Sequence, residues 1–458
     1  MRLSKEIVRE YDIRGIYQKN LDENSAYYIG KALATKALKN DCHIINVGFD
    51  GRNSSPSLSK KLIEGILSTG CNVNNIGLVP TPILYYSTFL LNVPYGVIVT
   101  ASHNPKEYNG FKFISKIEDF YGEKLKEFEK FVNSGEFLSG RGTETKIDVR
   151  DKYIETLTRE LQFINLNTLK IAWDPACGVA GEIVNKLDKQ LNSQNIIINS
   201  EVDGNFPAHE PDPTIEKNLE ELKNAVKTHN CDLGIAFDGD ADRIGVIDDE
   251  GEVIWGDQLV TLYAQEVLKN NPGATIIADV KTSNIFKQKV ESYNGIPLIW
   301  KTGHSLIKAK MKETGALLAG EMSGHVFFKD RYYGYDDGIY AAIRLIKILI
   351  TKRIKLSAFR KSLPTTYSTK ENKIPCSEEQ KFNVVNTIKE ELNKKGIKYI
   401  DIDGVRVEKD TGWWLIRASN TSPYLITRCE GTSEESLAEL KNDIDSILEL
   451  VNNKKMSY

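Results

Sequence analysis

The 458 residues are 41% hydrophobic and 27% charged, which is the composition of a globular chain with roughly three or four domains. The 60 basic and 63 acidic residues give a net charge of -3, and this balance argues against general nucleic-acid binding. No apolar run reaches the length that a membrane span needs, because Arg344 and Lys347 interrupt the most apolar helical segment.

Six cysteines lie far apart without a C-x-x-C pair, which predicts reduced and mostly buried thiols. The N-terminal residues are charged and lack the apolar segment of a signal peptide. We therefore expect a cytoplasmic protein without membrane or nucleic-acid partners. The sequence does not reveal the oligomeric state, so a monomer and a small homo-oligomer both stay open.

The predicted elements begin with a polar turn that contains Arg14, followed by an amphipathic helix over 25–39. An order of strand, turn, helix and strand then starts, and it repeats. In its first round, strands are predicted at 44–49, 73–76 and 96–100, with a turn at 50–56 and a helix over 57–69. The last strand ends directly before Ser102 and His103.

The same order returns twice. The second round has predicted strands at 169–173, 196–198 and 233–237 and helices at 182–191 and 219–229. The third round has predicted strands at 275–278, 297–300 and 316–319 and helices at 284–293 and 305–314. The rounds end in three polar loops, which contain Ser102, then Asp238, Asp240 and Asp242, then Glu321, Ser323 and His325.

The pattern changes after residue 363. A capping-box spacing at 377–380 predicts a helix to about residue 395. Alternating segments predict antiparallel strands at 399–406, 413–417 and 424–429, and a last helix is predicted over 434–451. The loop between the last two strands holds Arg417, Ser419, Asn420 and Thr421.

The predicted fold class is therefore α/β, with three related α/β domains built on mixed sheets and a C-terminal α+β domain around one central cleft. The expected domains are 1–148, 149–251, 252–363 and 364–458. Ligands of open α/β sheets bind where strands end, so the three strand-end loops are candidates for one shared site.

Ser102 is the candidate nucleophile, although a serine beside a histidine is a weak signal on its own. Adjacent side chains of an extended segment point to opposite sides, and a loop serine commonly satisfies nearby backbone groups. The alternating aspartates at 238, 240 and 242 can converge on a hard cation such as Mg²⁺. An EF-hand calcium loop has similar spacing but needs glycine where Arg243 stands, and a solvated acidic turn is the other alternative.

The other two loops offer groups that suit a sugar phosphate. The loop of Glu321, Ser323 and His325 combines donors and acceptors for sugar hydroxyls, unless it is an ordinary β-turn. The loop after Arg417 combines a guanidinium, hydroxyls and an amide, which match phosphate geometry but also occur in ordinary turns. Together the four loops favour phosphoryl transfer on a sugar phosphate.

The motifs TASHNP, DGDADR, GEMSGH and RASNTSP, preceded by YDIRG, occur in an order that resembles the α-D-phosphohexomutase superfamily, and within it the phosphomannomutase/phosphoglucomutase group. The resemblance covers essentially the whole chain. It implies interconversion of hexose 6-phosphate and hexose 1-phosphate, with mannose or glucose as the sugar. It also implies Mg²⁺ as cofactor and a hexose 1,6-bisphosphate as intermediate and activator.

The resemblance further implies roles for single residues. Ser102 would be the phosphoserine, and a phosphoserine oxygen with the three aspartates would hold Mg²⁺. Around that serine the catalytic group would include Arg14, His103, Lys112, Arg243 and His325. Sugar and phosphate would be bound by Lys281, His304, Glu321, Ser323, His325, Arg417, Ser419, Asn420 and Thr421. The general acid and base are not assigned, and His103 need not activate a serine that is already phosphorylated.

Three other functions stay open. A phosphoglucosamine mutase usually shows GEQSGH and an S-G-T phosphate loop, in contrast to the motifs here. A noncatalytic sugar-phosphate sensor would need neither the nucleophile nor the metal loop. An aspartyl-phosphate phosphatase, which the pair Asp238 and Asp240 also allows, would use an aspartate at the strand end instead of Ser102 as its nucleophile.

Overall fold

The structure, a computed structural model, describes residues 3–377, 379–419 and 423–455, with side chains described as far as residue 451. It contains two compact units, one of residues 1–259 and 323–360, the other of residues 260–322 and 361–458. The loops of Ser102 and of the three aspartates both belong to the first unit.

The first unit begins with a mixed sheet of six strands in the order β1-β5-β4-β2-β3-β6. The strands are β1 (Ile13–Ile16), β2 (Ile44–Phe49), β3 (Asn72–Leu78), β4 (Tyr95–Val99), β5 (Tyr108–Ser115) and β6 (Glu144–Lys146). The helices are α1 (Glu23–Lys39), α2 (Ser55–Leu67), α3 (Thr81–Leu90) and α4 (Glu123–Ser134). Strand β4 runs parallel to β2 and antiparallel to β5, so the Ser102 loop joins two neighbouring strands.

A second mixed sheet in this unit has the order β11-β10-β9-β7-β8. Its strands are β7 (Lys170–Asp174), β8 (Gln194–Ile197), β9 (Leu233–Phe237), β10 (Ile244–Asp248) and β11 (Val253–Ile254), with helices α5 (Arg150–Thr158), α6 (Ala180–Asp188) and α7 (Glu220–His229). Strand β9 is parallel to β7 and antiparallel to β10. The aspartate loop between β9 and β10 thus occupies the same topological position as the Ser102 loop.

The third repeat continues through α8 (Gly256–Asn270), β12 (Thr275–Asp279), α9 (Asn284–Ser292), β13 (Ile296–Trp300), α10 (His304–Thr314) and β14 (Leu318–Gly320). In the second unit, β12 lies between β13 and β14 and is parallel to both. The chain then forms β15 (Val326–Phe328) and α11 (Gly338–Lys352) in the first unit, followed by α12 (Leu356–Ser362).

The C-terminal part of the second unit is an antiparallel sheet covered by helices. Its elements are β16 (Tyr367–Ser368), β17 (Asn372–Pro375), α13 (Lys381–Lys394), β18 (Val405–Lys409), β19 (Gly412–Ala418), β20 (Tyr424–Gly431) and α14 (Glu434–Lys455). The sheet order is β16-β20-β19-β18, and β17 also pairs with β20. Apolar side chains such as Ile388, Trp414 and Ile444 form the core between helices and sheet.

The predicted α/β fold class is confirmed, and so is the prediction for the thiols, because all six are free and five are buried. Two local predictions were wrong. The polar turn around Arg14 is strand β1, which gains a distant partner in β5. The strand predicted at 399–406 begins only at Val405, after a turn in which Gly404 has a φ of 86°. Several helices had no predicted counterpart, among them α3 at residues 81–90.

No helix in the described part of the chain is long and apolar enough to cross a membrane.

Candidate active site

Ser102 is buried at the start of the loop between β4 and β5, in the left-handed backbone region with a φ of 51°. Its hydroxyl donates a hydrogen bond to Asp238 Oδ2 at 2.5 Å and lies 3.1 Å from His103 Nδ1. The Ser102 backbone N–H donates to Thr100 Oγ1 at 2.9 Å. The candidate nucleophile therefore meets the first carboxylate of the aspartate loop.

The aspartate loop presents three buried carboxylates close to one another. Oxygens of Asp238, Asp240 and Asp242 lie within 4.8 Å of one another. The loop approaches Ser102 so closely that a Cβ on Gly239 would lie 2.5 Å from the Ser102 carbonyl oxygen. Glycine is therefore needed at 239, and the convergence predicted from the alternating aspartates is present.

Lys112, which extends from β5, supplies positive charge to this cluster. Its Nζ donates to Asp240 Oδ2 at 2.7 Å and also to Asp242. Burial opposes the charged ammonium, but the charges of Asp240, Asp242 and Asp238 outweigh it and raise the pKa of Lys112. The Lys112 ammonium thus forms ion pairs with two of the three carboxylates, those of Asp240 and Asp242.

The other charges and oxygen atoms of the cluster favour the binding of a further cation. Burial, followed by the charges of Asp242 and Asp240, raises the pKa of Asp238 well above its ordinary value. Within the described residues, the buried Asp240 Oδ1 accepts no hydrogen bond. Closely spaced carboxylate oxygens are the ligands that hard divalent cations prefer, so the residues present fit a metal ion.

Two arginines border the cluster from different elements. Arg14 on β1 donates through Nη1 to Asn104 Oδ1 in the Ser102 loop at 2.5 Å and forms an ion pair with Asp12. The Arg243 backbone N–H donates to Asp238 Oδ1 at 3.1 Å, and its Nε lies 3.4 Å from His325 Nε2. Both guanidiniums therefore lie beside loops that carry the candidate nucleophile or metal ligands.

The two histidines of this region have different surroundings. His325 Nε2 lies 3.2 Å from Asp242 Oδ1, and its Nδ1 lies 3.0 Å from Ser323 Oγ. Burial, followed by the charges of Arg243 and Arg14, lowers the pKa of His103 well below its ordinary value. His103 is therefore a neutral imidazole near neutral pH.

Ten predicted site residues thus come together in the first unit: Arg14, Ser102, His103, Lys112, Asp238, Asp240, Asp242, Arg243, Ser323 and His325.

In the second unit, Lys281 follows β12 and is nearly fully buried. Its Nζ donates to Glu371 Oε1 at 2.7 Å and lies 3.6 Å from Asp279 Oδ2. The charge of Lys281 outweighs burial and lowers the pKa of Glu371 to about 2. This lysine is therefore held between two acidic groups at the end of a strand.

The other predicted residues of the second unit are fixed by neighbouring loops. Arg417 Nε on β19 donates to Asp403 Oδ2 at 3.0 Å. Glu321 Oε1 accepts the Gly303 N–H at 2.6 Å, directly before His304, the first residue of α10. The Ser419 backbone N–H donates to the Tyr424 carbonyl oxygen at 2.9 Å. Asn420 and Thr421 lie outside the described residues.

Sequence reasoning missed several residues that hold this site. Glu371 lies in a polar connector and Asp403 in a segment predicted as a strand, so neither had a usable signal. The segment 50–56 was interpreted only as a turn. Asp50 and Arg52 nevertheless follow directly after a buried strand, the placement that singled out the other loops.

Four family descriptions match consecutive parts of the chain. The phosphoglucomutase/phosphomannomutase α/β/α domains I, II and III match residues 5–137, 151–251 and 255–367, and the C-terminal domain of that family matches residues 371–447.

Individual proteins show the same similarity. A phosphomannomutase/phosphoglucomutase of Pseudomonas aeruginosa is 42% identical over 439 residues, which cover 96% of this chain and 94% of the relative. A phosphoglucomutase of Neisseria gonorrhoeae is 39% identical over 451 residues, 98% of this chain and 97% of the relative. The solved structure of a phosphoglucomutase/phosphomannomutase family protein from Burkholderia thailandensis has a TM-score of 0.92 at 37% identity and covers 98% of both chains.

The fold and these matches define an α-D-phosphohexomutase. More narrowly, the chain belongs to the phosphoglucomutase/phosphomannomutase family, as the motif order predicted.

Proposed function

We propose that the protein is a phosphohexomutase that interconverts the 6-phosphate and the 1-phosphate of mannose or glucose. The observation that supports this most directly is the position of Ser102 Oγ, 2.5 Å from Asp238 Oδ2 in a cluster that also holds Lys112. A hydroxyl at that position is suited to carry a phosphoryl group between carboxylates that bind a cation and a nearby ammonium.

In the proposed reaction, phosphorylated Ser102 transfers its phosphoryl group to the free 1- or 6-hydroxyl of a hexose phosphate. The bond between phosphorus and Ser102 Oγ breaks and a bond to the sugar oxygen forms. The sugar hydroxyl gives its proton to a base and the released Ser102 Oγ takes up a proton from an acid, and we leave both groups unassigned. The hexose 1,6-bisphosphate then reverses its orientation in the site, and its other phosphate is transferred to Ser102. Each cycle therefore restores the phosphoserine and consumes no phosphate.

The site residues support this reaction by charge and position. Asp238, Asp240, Asp242 and a phosphoserine oxygen would hold Mg²⁺, which neutralises charge on the transferring group when bound. Lys112 and Arg14 supply positive charge on the Ser102 side, with His103, Arg243 and His325 beside them. For sugar and phosphate binding we propose Lys281, His304, Glu321, Ser323, His325, Arg417, Ser419, Asn420 and Thr421. Activation by a hexose 1,6-bisphosphate and cytoplasmic residence stay predictions, as do the four domain boundaries.

Steady-state turnover of three substrates tests the proposal. Mannose, glucose and glucosamine 1-phosphates are supplied with Mg²⁺ and glucose 1,6-bisphosphate, and formation of the 6-phosphate is measured. We expect kcat/KM for mannose or glucose 1-phosphate to exceed that for glucosamine 1-phosphate by at least about tenfold. The reverse order would support a phosphoglucosamine mutase, and a chain that turns over none of the three would be a sensor.

A further inference from the structure

Arg52 is a fully buried arginine whose guanidinium binds the backbone of the Ser102 loop. Nη2 donates to the carbonyl oxygens of Ser102 at 2.7 Å and Asn104 at 2.5 Å. Nη1 donates to those of Pro105 at 2.7 Å and Tyr108 at 3.1 Å. One side chain thus satisfies four carbonyl groups of the segment that carries the candidate phosphoserine.

Asp50 is linked to the backbone N–H of Ser102 through the Thr100 hydroxyl. Its Oδ2 lies 3.2 Å from Arg52 Nε and accepts the Thr100 hydroxyl at 2.7 Å. Thr100 Oγ1 in turn accepts the Ser102 N–H at 2.9 Å. Through Thr100 and Arg52, therefore, Asp50 is linked to both the N–H and the carbonyl group of Ser102.

The Ser102 backbone needs such support because its φ of 51° is unfavourable for a residue with a Cβ. In this conformation the Ser102 hydroxyl donates its hydrogen bond to Asp238. We propose that Arg52 and Asp50 are positioning residues that hold Ser102 in the left-handed conformation required for phosphoryl transfer. This inference rests on the proposed role of Ser102 as the phosphate carrier.

Only arginine has the geometry for this task. Its planar guanidinium offers five donors in a fixed arrangement, whereas the three donors of a lysine ammonium radiate from one atom and cannot reach four carbonyl groups and Asp50 together. The Phe206 ring covers the guanidinium at 5.2 Å. A lysine at position 52 would therefore keep the charge but donate to fewer carbonyl groups of the Ser102 loop, where the Ser102 carbonyl group itself is buried.

The test compares Arg52→Lys with Arg344→Lys. Arg344 is a matched control, because it is also fully buried, pairs with Asp330 and lies 4.2 Å from the Phe328 ring, all within the first unit. Dephosphorylated protein is mixed with glucose 1,6-bisphosphate, and phosphate incorporation is followed by intact-protein mass spectrometry. Hydrogen exchange is measured on the peptide that covers residues 100–108.

For Arg52→Lys we expect incorporation and kcat to fall at least about 100-fold, with KM changed by less than about threefold, because the loss is one of positioning. Exchange in the 100–108 peptide should become faster. Arg344→Lys should lose thermal stability, but it should incorporate phosphate within about twofold of the wild-type rate, since its partners Asp330 and Tyr340 lie outside the Ser102 loop.

A second pair of variants decides the matter if Arg52→Lys does not fold. Thr100→Val removes the hydroxyl that links Asp50 to the Ser102 N–H and should slow incorporation about tenfold, whereas Thr100→Ser keeps the hydroxyl and should restore the rate. Wild-type rates in Arg52→Lys, or equal rates in the two Thr100 variants, would overturn the inference. A wild-type protein that accepts no phosphate would instead contradict the proposed function.

Discussion

Replacing Lys112 by methionine removes the only side-chain ammonium that contacts the aspartates within the described part of the chain. The Lys112 side chain is 4% exposed, and both partner carboxylates are 0% exposed. Deleting one partner of a buried ion pair costs about 3–5 kcal/mol because the remaining charge stays desolvated. At roughly 2 °C per kcal/mol, the midpoint of thermal unfolding should fall by about 6–10 °C in EDTA.

Mg²⁺ should reverse part of this loss, because a divalent cation at the same carboxylates replaces the missing positive charge. Binding at a concentration 100 times the dissociation constant adds about 2.7 kcal/mol. The assay is thermal unfolding followed by circular dichroism, in EDTA and over a Mg²⁺ titration. Lys223→Met is the control, because the carboxylates that pair with Lys223, those of Glu216 and Glu220, are 37% and 58% exposed and stay solvated without it. This control variant should cost less than about 1 kcal/mol. If Lys112→Met is no less stable than the control in EDTA, or Mg²⁺ does not stabilise it, the electrostatic account of the cluster is wrong.

Three further predictions concern single residues. Asp240→Asn should weaken Mg²⁺ binding at least about tenfold by calorimetry, because a charged ligand is lost; unchanged affinity would place the metal elsewhere. Burial raises the pKa of Asp337 to about 6, so its contribution to stability is present below pH ~4 and is lost as pH rises through 6. The total loss is about 3 kcal/mol, of which about 1.4 kcal/mol falls between pH 5 and 7.5, so the wild type should lose about 1.4 kcal/mol over that interval relative to Asp337→Asn in urea unfolding; parallel pH profiles would refute this. Arg417→Lys should raise KM for the hexose phosphate at least about tenfold with a smaller change in kcat, as lysine cannot bind phosphate through two parallel N–H groups; an unchanged KM would remove Arg417 from the phosphate site.

Much of the fold could be predicted because its signals are local. Apolar runs such as Leu233–Phe237 are strands in both the prediction and the structure. The elements that were missed depend on distant partners or on backbone conformation. Strand β1 exists because it pairs with β5, which lies far along the chain, and the strand near 405 starts late because of the turn at Gly404.

The site residues also divide into those with a local sequence signal and those that depend on distant partners. The motifs located Ser102 and the three aspartates, since polar residues that follow apolar strands stand out in a sequence. They did not reveal Glu371, because its partner Lys281 lies 90 residues away in the chain. Arg52 was also missed. Its function depends on backbone carbonyl groups 50 to 56 residues further on, and carbonyl groups have no sequence signature.

The phosphate-carrying role of Ser102 is tested most directly by locating covalent phosphate on active protein. We expect phosphopeptide mapping by mass spectrometry after incubation with glucose 1,6-bisphosphate to find phosphate on Ser102, and Ser102→Ala to lose both the label and nearly all turnover. Full activity without phosphate on Ser102, or label that remains in Ser102→Ala and is lost in Asp238→Ala, would show that Ser102 is not the phosphate carrier.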